Sequence, residues 1–141
     1  MPELPFKILG IEHVGIAVKD LNNISAIFGE LLGIELHHRE KVDDQQVITD
    51  IYHAGNDKLE FLKATSPHSP IAKFLDKRPE GMHHIALLVD HLQLALDYLK
   101  DKGIQLVDEK PRIGAEGLSI AFIHPKSTFG ILVELCEEIK K

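Results

Sequence analysis

The sequence predicts an α+β fold in which two repeated βαβββ modules pack side by side to form a half-open β-barrel. Three observations carry that prediction. Gly10-Ile-Glu-His-Val-Gly-Ile-Ala-Val-Lys-Asp-Leu21 lies over Gly81-Met-His-His-Ile-Ala-Leu-Leu-Val-Asp-His-Leu92 without a gap. A segment with apolar residues at helical spacing follows in each half and stops at a glycine. Three short strand-like runs then close each half.

In the first half the spacing predicts a helix over Asn22 to Leu32, with Ile24, Ile27, Phe28 and Leu31 as its apolar set, Asn22 or Asn23 as N-cap and Gly33 just past its end. In the second half the helix covers Gln93 to Lys102, with Leu94, Leu96, Tyr98 and Leu99 apolar and Gly103 as the stop. Strands are predicted at Ile34 to Glu40, Val47 to His53 and Lys58 to Lys63, and again at Ile104 to Glu109, Leu118 to His124 and Gly130 to Cys136. The turns are Ala54-Gly55-Asn56-Asp57 and Pro125-Lys126-Ser127-Thr128. The 141 residues thus form one domain, with module one over about 8–64, a linker over about 65–80 and module two over about 81–138. The linker holds a short helix, Ile71 to Lys77, after Ser66-Pro67-His68-Ser69-Pro70.

A four-stranded sheet with one helix cannot bury both its faces, so two such modules are expected to share one core and to point their inner faces into one cavity. The apolar content, 44%, is enough to fill it. Sixteen Lys and Arg against 22 Asp and Glu give a net charge of -6, which excludes a general attraction to nucleic acid. The longest apolar run, Ile85 to Val89, is far too short for a bilayer, and no apolar leader follows Met1, so a cytoplasmic protein without a membrane partner is expected. The lone Cys136 cannot form an internal disulfide and is read as a packing residue.

Strand side chains alternate between faces, so parity sorts inner from outer positions. His13, Gly15 and Ala17 share one face of the first strand, while Val14, Ile16 and Val18 share the face expected under the helices. The same count selects His84, and not His83, in the second half. Glu60 opposes Leu59 and Phe61, and Glu134 opposes Val133 and Leu135. A buried carboxylate costs several kcal/mol unless it is paired or metal-bound, so two in apolar strands require an explanation. A single divalent ion (Co, Mn, Ni, Zn or Fe) held by His13, Glu60, His84 and Glu134 supplies it, because two imidazoles and two carboxylates suit those metals and leave two positions of six open. Taken singly, each residue reads as an ordinary strand histidine or surface glutamate; the fourfold match by repeat and parity favours the ligand set. His37, His38, His53, His68, His91 and His124 have no repeat partner and are read as surface or packing residues.

The blocks His-Val-Gly-Ile-Ala-Val, Gly-Met-His-His-Ile-Ala and His-Pro-Lys-Ser-Thr-x-Gly-Ile-Leu-Val-Glu-Leu resemble the vicinal oxygen chelate (glyoxalase/bleomycin resistance/dioxygenase) superfamily. Within it, the linker block Ser69-Pro-Ile-Ala-Lys-Phe-Leu75 and His124-Pro-Lys-Ser-Thr128 are most similar to the methylmalonyl-coenzyme A epimerase family. Further likeness lies in Glu40-Lys-Val-Asp-Asp-Gln45, Asp108-Glu-Lys-Pro-Arg112 and Gly114-Ala-Glu-Gly117, so the match runs from Ile11 to about Glu137.

The resemblance implies a metal-dependent isomerase that inverts the α-carbon of methylmalonyl-coenzyme A through a metal-stabilised enolate, with the metal on His13, Glu60, His84 and Glu134. Glu134 and Glu60 sit on symmetry-related strands and so flank the metal from opposite sides, and for that reaction Glu134 is expected to shuttle one proton, with Glu60 or a water near Thr49 serving the other face. Thr49 matches a strand position where certain epimerases carry a Glu, and parity sends Asp50 to the opposite side. Glu60 stands where some members carry Gln. The acyl-coenzyme A phosphates need a local cation, for which Lys126 and Ser127 come first and Arg112 and Lys110 second. Barrels of this kind commonly pair, so a homodimer is expected. Competing readings are a glyoxalase I type lactoylglutathione lyase, a metal-free drug-sequestering protein of the same fold, and an Fe(II) extradiol dioxygenase, against which a fourth ligand speaks.

Overall fold

The computed structural model describes residues 3–139. The chain divides into two compact units, one spanning His13–His83 and the other joining the segment up to Glu12 to the residues from His84 onward. Each βαβββ order is present: β1 (Ile8–Ala17), a π-helical segment (Ser25–Leu31), β2 (Glu35–Val42), β3 (Val47–Ala54) and β4 (Asp57–Ala64), then β5 (Gly81–Val89), α2 (Leu92–Asp101), β6 (Arg112–Ile113), β7 (Ser119–Ile123) and β8 (Val133–Glu137). The linker helix α1 covers Pro70–Lys77.

In the first unit β3 pairs antiparallel with both β2 and β4, and β4 pairs parallel with β1. One face of this sheet packs Ile16, Leu59, Phe61 and Tyr52 against Ile24 and Phe28. Phe61 meets Phe28 at 4.8 Å and Tyr52 at 5.4 Å between ring centroids. Ile27 and Leu31, expected on the same face as Ile24 and Phe28, are exposed. The cause is local: the segment is wound as a π-helix, with Leu32 N–H donating to Ile27 O at 2.9 Å, and the wider turn rotates the i+3 positions outward. The cap also differs from expectation, since no asparagine side chain caps the segment and Asp20 Oδ1 instead accepts from Asn22 N–H at 2.9 Å. Gly33, at φ +69, ends the turn as predicted.

Ser69 caps α1 by accepting from Ile71 N–H at 3.1 Å, and Pro70 occupies the first turn, where no hydrogen bond is needed from its nitrogen. Glu80 holds the end of the linker through Lys19 N–H, which donates to its Oε2 at 2.7 Å.

In the second unit β8 pairs parallel with β5 and antiparallel with β7. Leu92, Ala95 and Leu96 of α2 are fully buried against Val89, Ala121 and Leu135, whereas Leu94 turns outward. The first helical N–H groups find a carboxylate: Leu92 N–H donates to Glu137 Oε1 at 2.7 Å. Phe6 belongs to this core and meets Tyr98 at 6.0 Å, and Asp90 Oδ1 accepts from Lys7 N–H at 2.6 Å, so the N-terminal arm packs with the second half of the chain.

The strand expected over Ile104 to Glu109 does not form. Only a single bridge, Leu106 with Ile123, remains, and the short β6 lies instead at Arg112–Ile113. Asp108 is the reason: its Oδ2 accepts from Phe122 N–H at 2.9 Å, taking a donor that a backbone ladder would need. The last strand begins at Val133 rather than Gly130. Among the described residues no helix is long and apolar enough to cross a membrane.

Candidate metal centre

The parallel pairing of β1 with β4 sets Gly15 opposite Glu60, and the parallel pairing of β5 with β8 sets Ala86 opposite Glu134. In each half the histidine lies two residues before that partner, so it projects from the same face of the sheet as the glutamate. His13 Nδ1 stands 3.0 Å from Glu60 Oε2. His84 Nε2 stands 3.6 Å from Glu134 Oε1. All four side chains are 4–5% exposed. Within each half the histidine and glutamate that parity assigns to one face lie in contact, so each half presents one buried nitrogen–carboxylate pair.

These pairs meet the requirements of a borderline divalent ion. Each combines an imidazole with a carboxylate already withdrawn from water, a nitrogen and oxygen donor set of the kind such an ion would take. The face opposite the helix is otherwise apolar: Ala86, Leu118, Ile120, Phe122 and Cys136 surround Glu134 in the second unit. Phe122 pairs with Glu134 across β7 and β8, and its ring meets His84 edge-on at 5.5 Å, fixing the imidazole plane. Cys136 is fully buried there and its thiol contacts Leu87 O at 3.5 Å, the packing role expected of it.

His83 takes the other face. Its ring meets Phe74 of α1 at 5.0 Å, and burial, followed by the nearby Arg78 charge, pushes its pKa down to about 4. Asp50 also faces away from Glu60, as parity required. It is 2% exposed and binds Arg39 at 2.6 and 3.0 Å, and this carboxylate raises the Arg39 pKa. Thr49 lies on the Glu60 face, fully buried, with no hydrogen-bond partner for its Oγ1 among the described residues.

The turn predicted to meet phosphates is a 3-10 turn, Pro125–Ser127, capped by His124, whose Nδ1 accepts from Lys126 N–H at 3.1 Å. Lys126 is exposed, and Ser127 Oγ accepts from Gln105 N–H at 2.9 Å, which ties the turn to the segment after α2. Arg112 is engaged differently from the sequence expectation of a free cation: its Nε lies 3.2 Å from Asp108 Oδ1 and its guanidinium stacks 5.7 Å over Phe122. Lys110 lies in the irregular segment just before β6. His37, His38 and His53, read as surface or packing residues, pack their rings together on β2 and β3.

The profile of the Glyoxalase/Bleomycin resistance protein/Dioxygenase superfamily matches residues 12–122, which defines the class. The uncharacterized protein YqjC of Bacillus subtilis is 42% identical over 90% of this chain and 91% of its own length. The ethylmalonyl-CoA/methylmalonyl-CoA epimerase of Cereibacter sphaeroides is 39% identical over 89% of this chain and 95% of that protein. A variant of the Streptomyces coelicolor methylmalonyl-CoA epimerase, solved in complex with 2-nitronate-propionyl-CoA, overlays with a TM-score of 0.90 at 31% identity, covering 95% of this chain and 100% of that one. The chain belongs to this superfamily and, within it, to the methylmalonyl-CoA epimerase family of enzymes.

Proposed function

We propose that this protein epimerises methylmalonyl-coenzyme A at a single divalent ion held by His13, Glu60, His84 and Glu134. The observation that carries the reading is the repeated His–Glu contact, one buried pair per half at equivalent strand positions. Relatives of that activity, matched over most of both chains, support the substrate. Cobalt, manganese, nickel, zinc and iron(II) all suit the donor set.

Such an ion supplies Lewis acidity toward the substrate carboxylate and thioester oxygens, which makes the α-proton between them easier to remove. The protein supplies the proton path. Glu134 takes the α-proton from one side of the carbon, leaving an enolate, and a proton returned from the opposite face completes the inversion. Glu60, or a water tethered by the Thr49 hydroxyl, serves that second face. The apolar surround of Ala86, Ile120 and Phe122 limits competing water at the carbon. Lys126 and Ser127 bind the coenzyme A phosphates from the 3-10 turn, giving an acidic protein its local cation. The functional form is a homodimer in the cytoplasm.

The deciding experiment is incubation of the metal-loaded enzyme with methylmalonyl-coenzyme A in deuterated water. Interconversion of the epimers with deuterium appearing at the α-carbon is expected. Turnover of a glutathione hemithioacetal without that exchange overturns the reading in favour of a glyoxalase.

A further inference from the structure

Phe122 is caught by the irregular segment that stands where a strand was expected. Val107 N–H and Asp108 N–H both donate to its carbonyl, at 2.9 and 3.3 Å, and its own N–H donates to Asp108 Oδ2 at 2.9 Å. The other oxygen of that carboxylate lies 3.2 Å from Arg112 Nε. Arg112 pairs with Ile120 across β6 and β7, which puts its side chain on the face that carries Ile120, Phe122 and Glu134. Gly114 permits that pairing, since a Cβ there would come within 2.8 Å of the Ile120 side chain. The guanidinium lies 5.7 Å from the centroid of the Phe122 ring, within cation–π reach, and the same ring meets His84 at 5.5 Å with the planes 85° apart. A continuous chain of contacts thus runs from Asp108 through Arg112 and Phe122 to His84.

We propose that Asp108 and Arg112 are positioning residues for His84, acting through the Phe122 ring, so that the imidazole is presented to the metal at a fixed angle. The inference rests on the proposed ion at His84 and Glu134. The torsion that turns a phenyl ring is broad, and so is that of an imidazole, so neither residue sets its own plane and the packing around it must. Phe122 is buried and both its backbone polar groups are held by the segment at Val107 and Asp108, which leaves rotation of the ring as its main freedom. Arg112 restrains that rotation by covering the ring. Asp108 in turn holds the guanidinium in place, because an arginine whose side chain is 33% exposed would otherwise extend into water. Groups that orient a metal-bound histidine from behind typically change metal affinity by roughly 10- to 100-fold.

Co(II) binding to the chelator-stripped full-length protein tests the chain, read by competition with a chelator and by the visible absorption of the bound ion. Arg112→Met is expected to bind Co(II) about 10-fold less tightly and to alter the absorption bands. Asp108→Asn keeps an oxygen for Phe122 N–H but loses the charge that holds Arg112, so it should show the same change. Arg112→Lys, which retains a cation over the ring, should recover most of the affinity. Phe122→Leu should lose as much as Arg112→Met, and the two combined should lose nothing further, because residues that act through one another are not additive. Wild-type affinity and absorption in a folded Arg112→Met or Asp108→Asn protein overturns the inference and leaves the metal reading intact. Additive losses in Arg112→Met/Phe122→Leu overturn it as well, since Arg112 then acts by another route. A wild type that binds no Co(II) overturns both readings.

Discussion

His84 Nε2 stands 3.6 Å from Glu134 Oε1, while His83, one residue earlier, puts its ring 5.0 Å from Phe74 on the other side of the strand. Two adjacent histidines thus serve different masters, and substitution separates them. His84→Gln is expected to lose tightly bound metal and to lower kcat/KM roughly 100-fold or more, since Lewis-acid stabilisation is worth several kcal/mol. His83→Gln removes the ring contact with Phe74 on the face away from Glu134, so its metal content should match the wild type while its melting temperature falls. Metal analysis of the two purified variants decides: equal metal loss in both removes the distinction that strand parity makes.

Glu134→Gln addresses proton transfer rather than the ion alone. An amide retains an oxygen donor but accepts no proton, so α-deuterium exchange is expected to fall by about 10²- to 10⁴-fold, the usual contribution of a positioned acid–base group. Glu60→Gln keeps a residue type that some epimerases carry at that place, so metal content should survive. Exchange rates normalised to bound metal are the measurement, and an unchanged rate in Glu134→Gln shows that another group removes the proton.

The Arg39–Asp50 pair tests burial against charge. The Asp50 side chain is 3% exposed and that of Arg39 55%, so the carboxylate has given up its water and the guanidinium has not. Arg39→Met leaves that carboxylate without its bidentate partner. Loss of one member of a buried pair typically costs about 3–5 kcal/mol, and the exposure of Arg39 reduces the expected loss here to about 2 kcal/mol. Adding Asp50→Asn should recover part of it, because no buried charge then remains. Denaturant unfolding of the single and double variants reads the difference, and a double variant no more stable than Arg39→Met argues against charge burial as the cause.

Ser69→Ala removes the α1 cap, whose Oγ accepts from Ile71 N–H. About 1 kcal/mol of stability should be lost with catalysis unaffected. A melting temperature equal to that of the wild type shows that solvent satisfies the first turn as well as the hydroxyl does.

Much of this arrangement was legible because strand pairing obeys a period of two. His13, Glu60, His84 and Glu134 could each be assigned to a face from the sequence, and the parallel registers of Gly15 with Glu60 and Ala86 with Glu134 keep each pair in phase. What escaped depends on residues that break the period. The bulge at His37 adds one residue to β2 and joins three histidines that alternation keeps apart. Asp108 diverts Phe122 N–H and erases a strand that Ile104 to Glu109 otherwise spells. The π-helical turn moves Ile27 and Leu31 into solvent although their spacing suits an α-helix. In each case a local competition for one hydrogen bond, or one extra residue, outweighs the average pattern.

Thr49 is the position where stability and catalysis make opposite demands. It is fully buried, Oγ1 has no hydrogen-bond partner among the described residues, and the residue opposite it on β4 is Leu62, next along that face from Glu60. Valine has the same shape without the hydroxyl, so Thr49→Val should relieve the desolvation cost and raise stability by about 1 kcal/mol. A hydroxyl that tethers a proton-carrying water serves one face of the carbon only. Its loss should therefore slow inversion while Glu134 continues to exchange the α-proton on the other face. In deuterated water the expected signature is deuterium accumulating in the unconverted epimer, with the ratio of inversion to exchange falling about tenfold, at the low end for a single proton-transfer element. A variant that is more stable yet inverts and exchanges at wild-type rates assigns the hydroxyl no part in the reaction and leaves Glu60 as the group serving the second face.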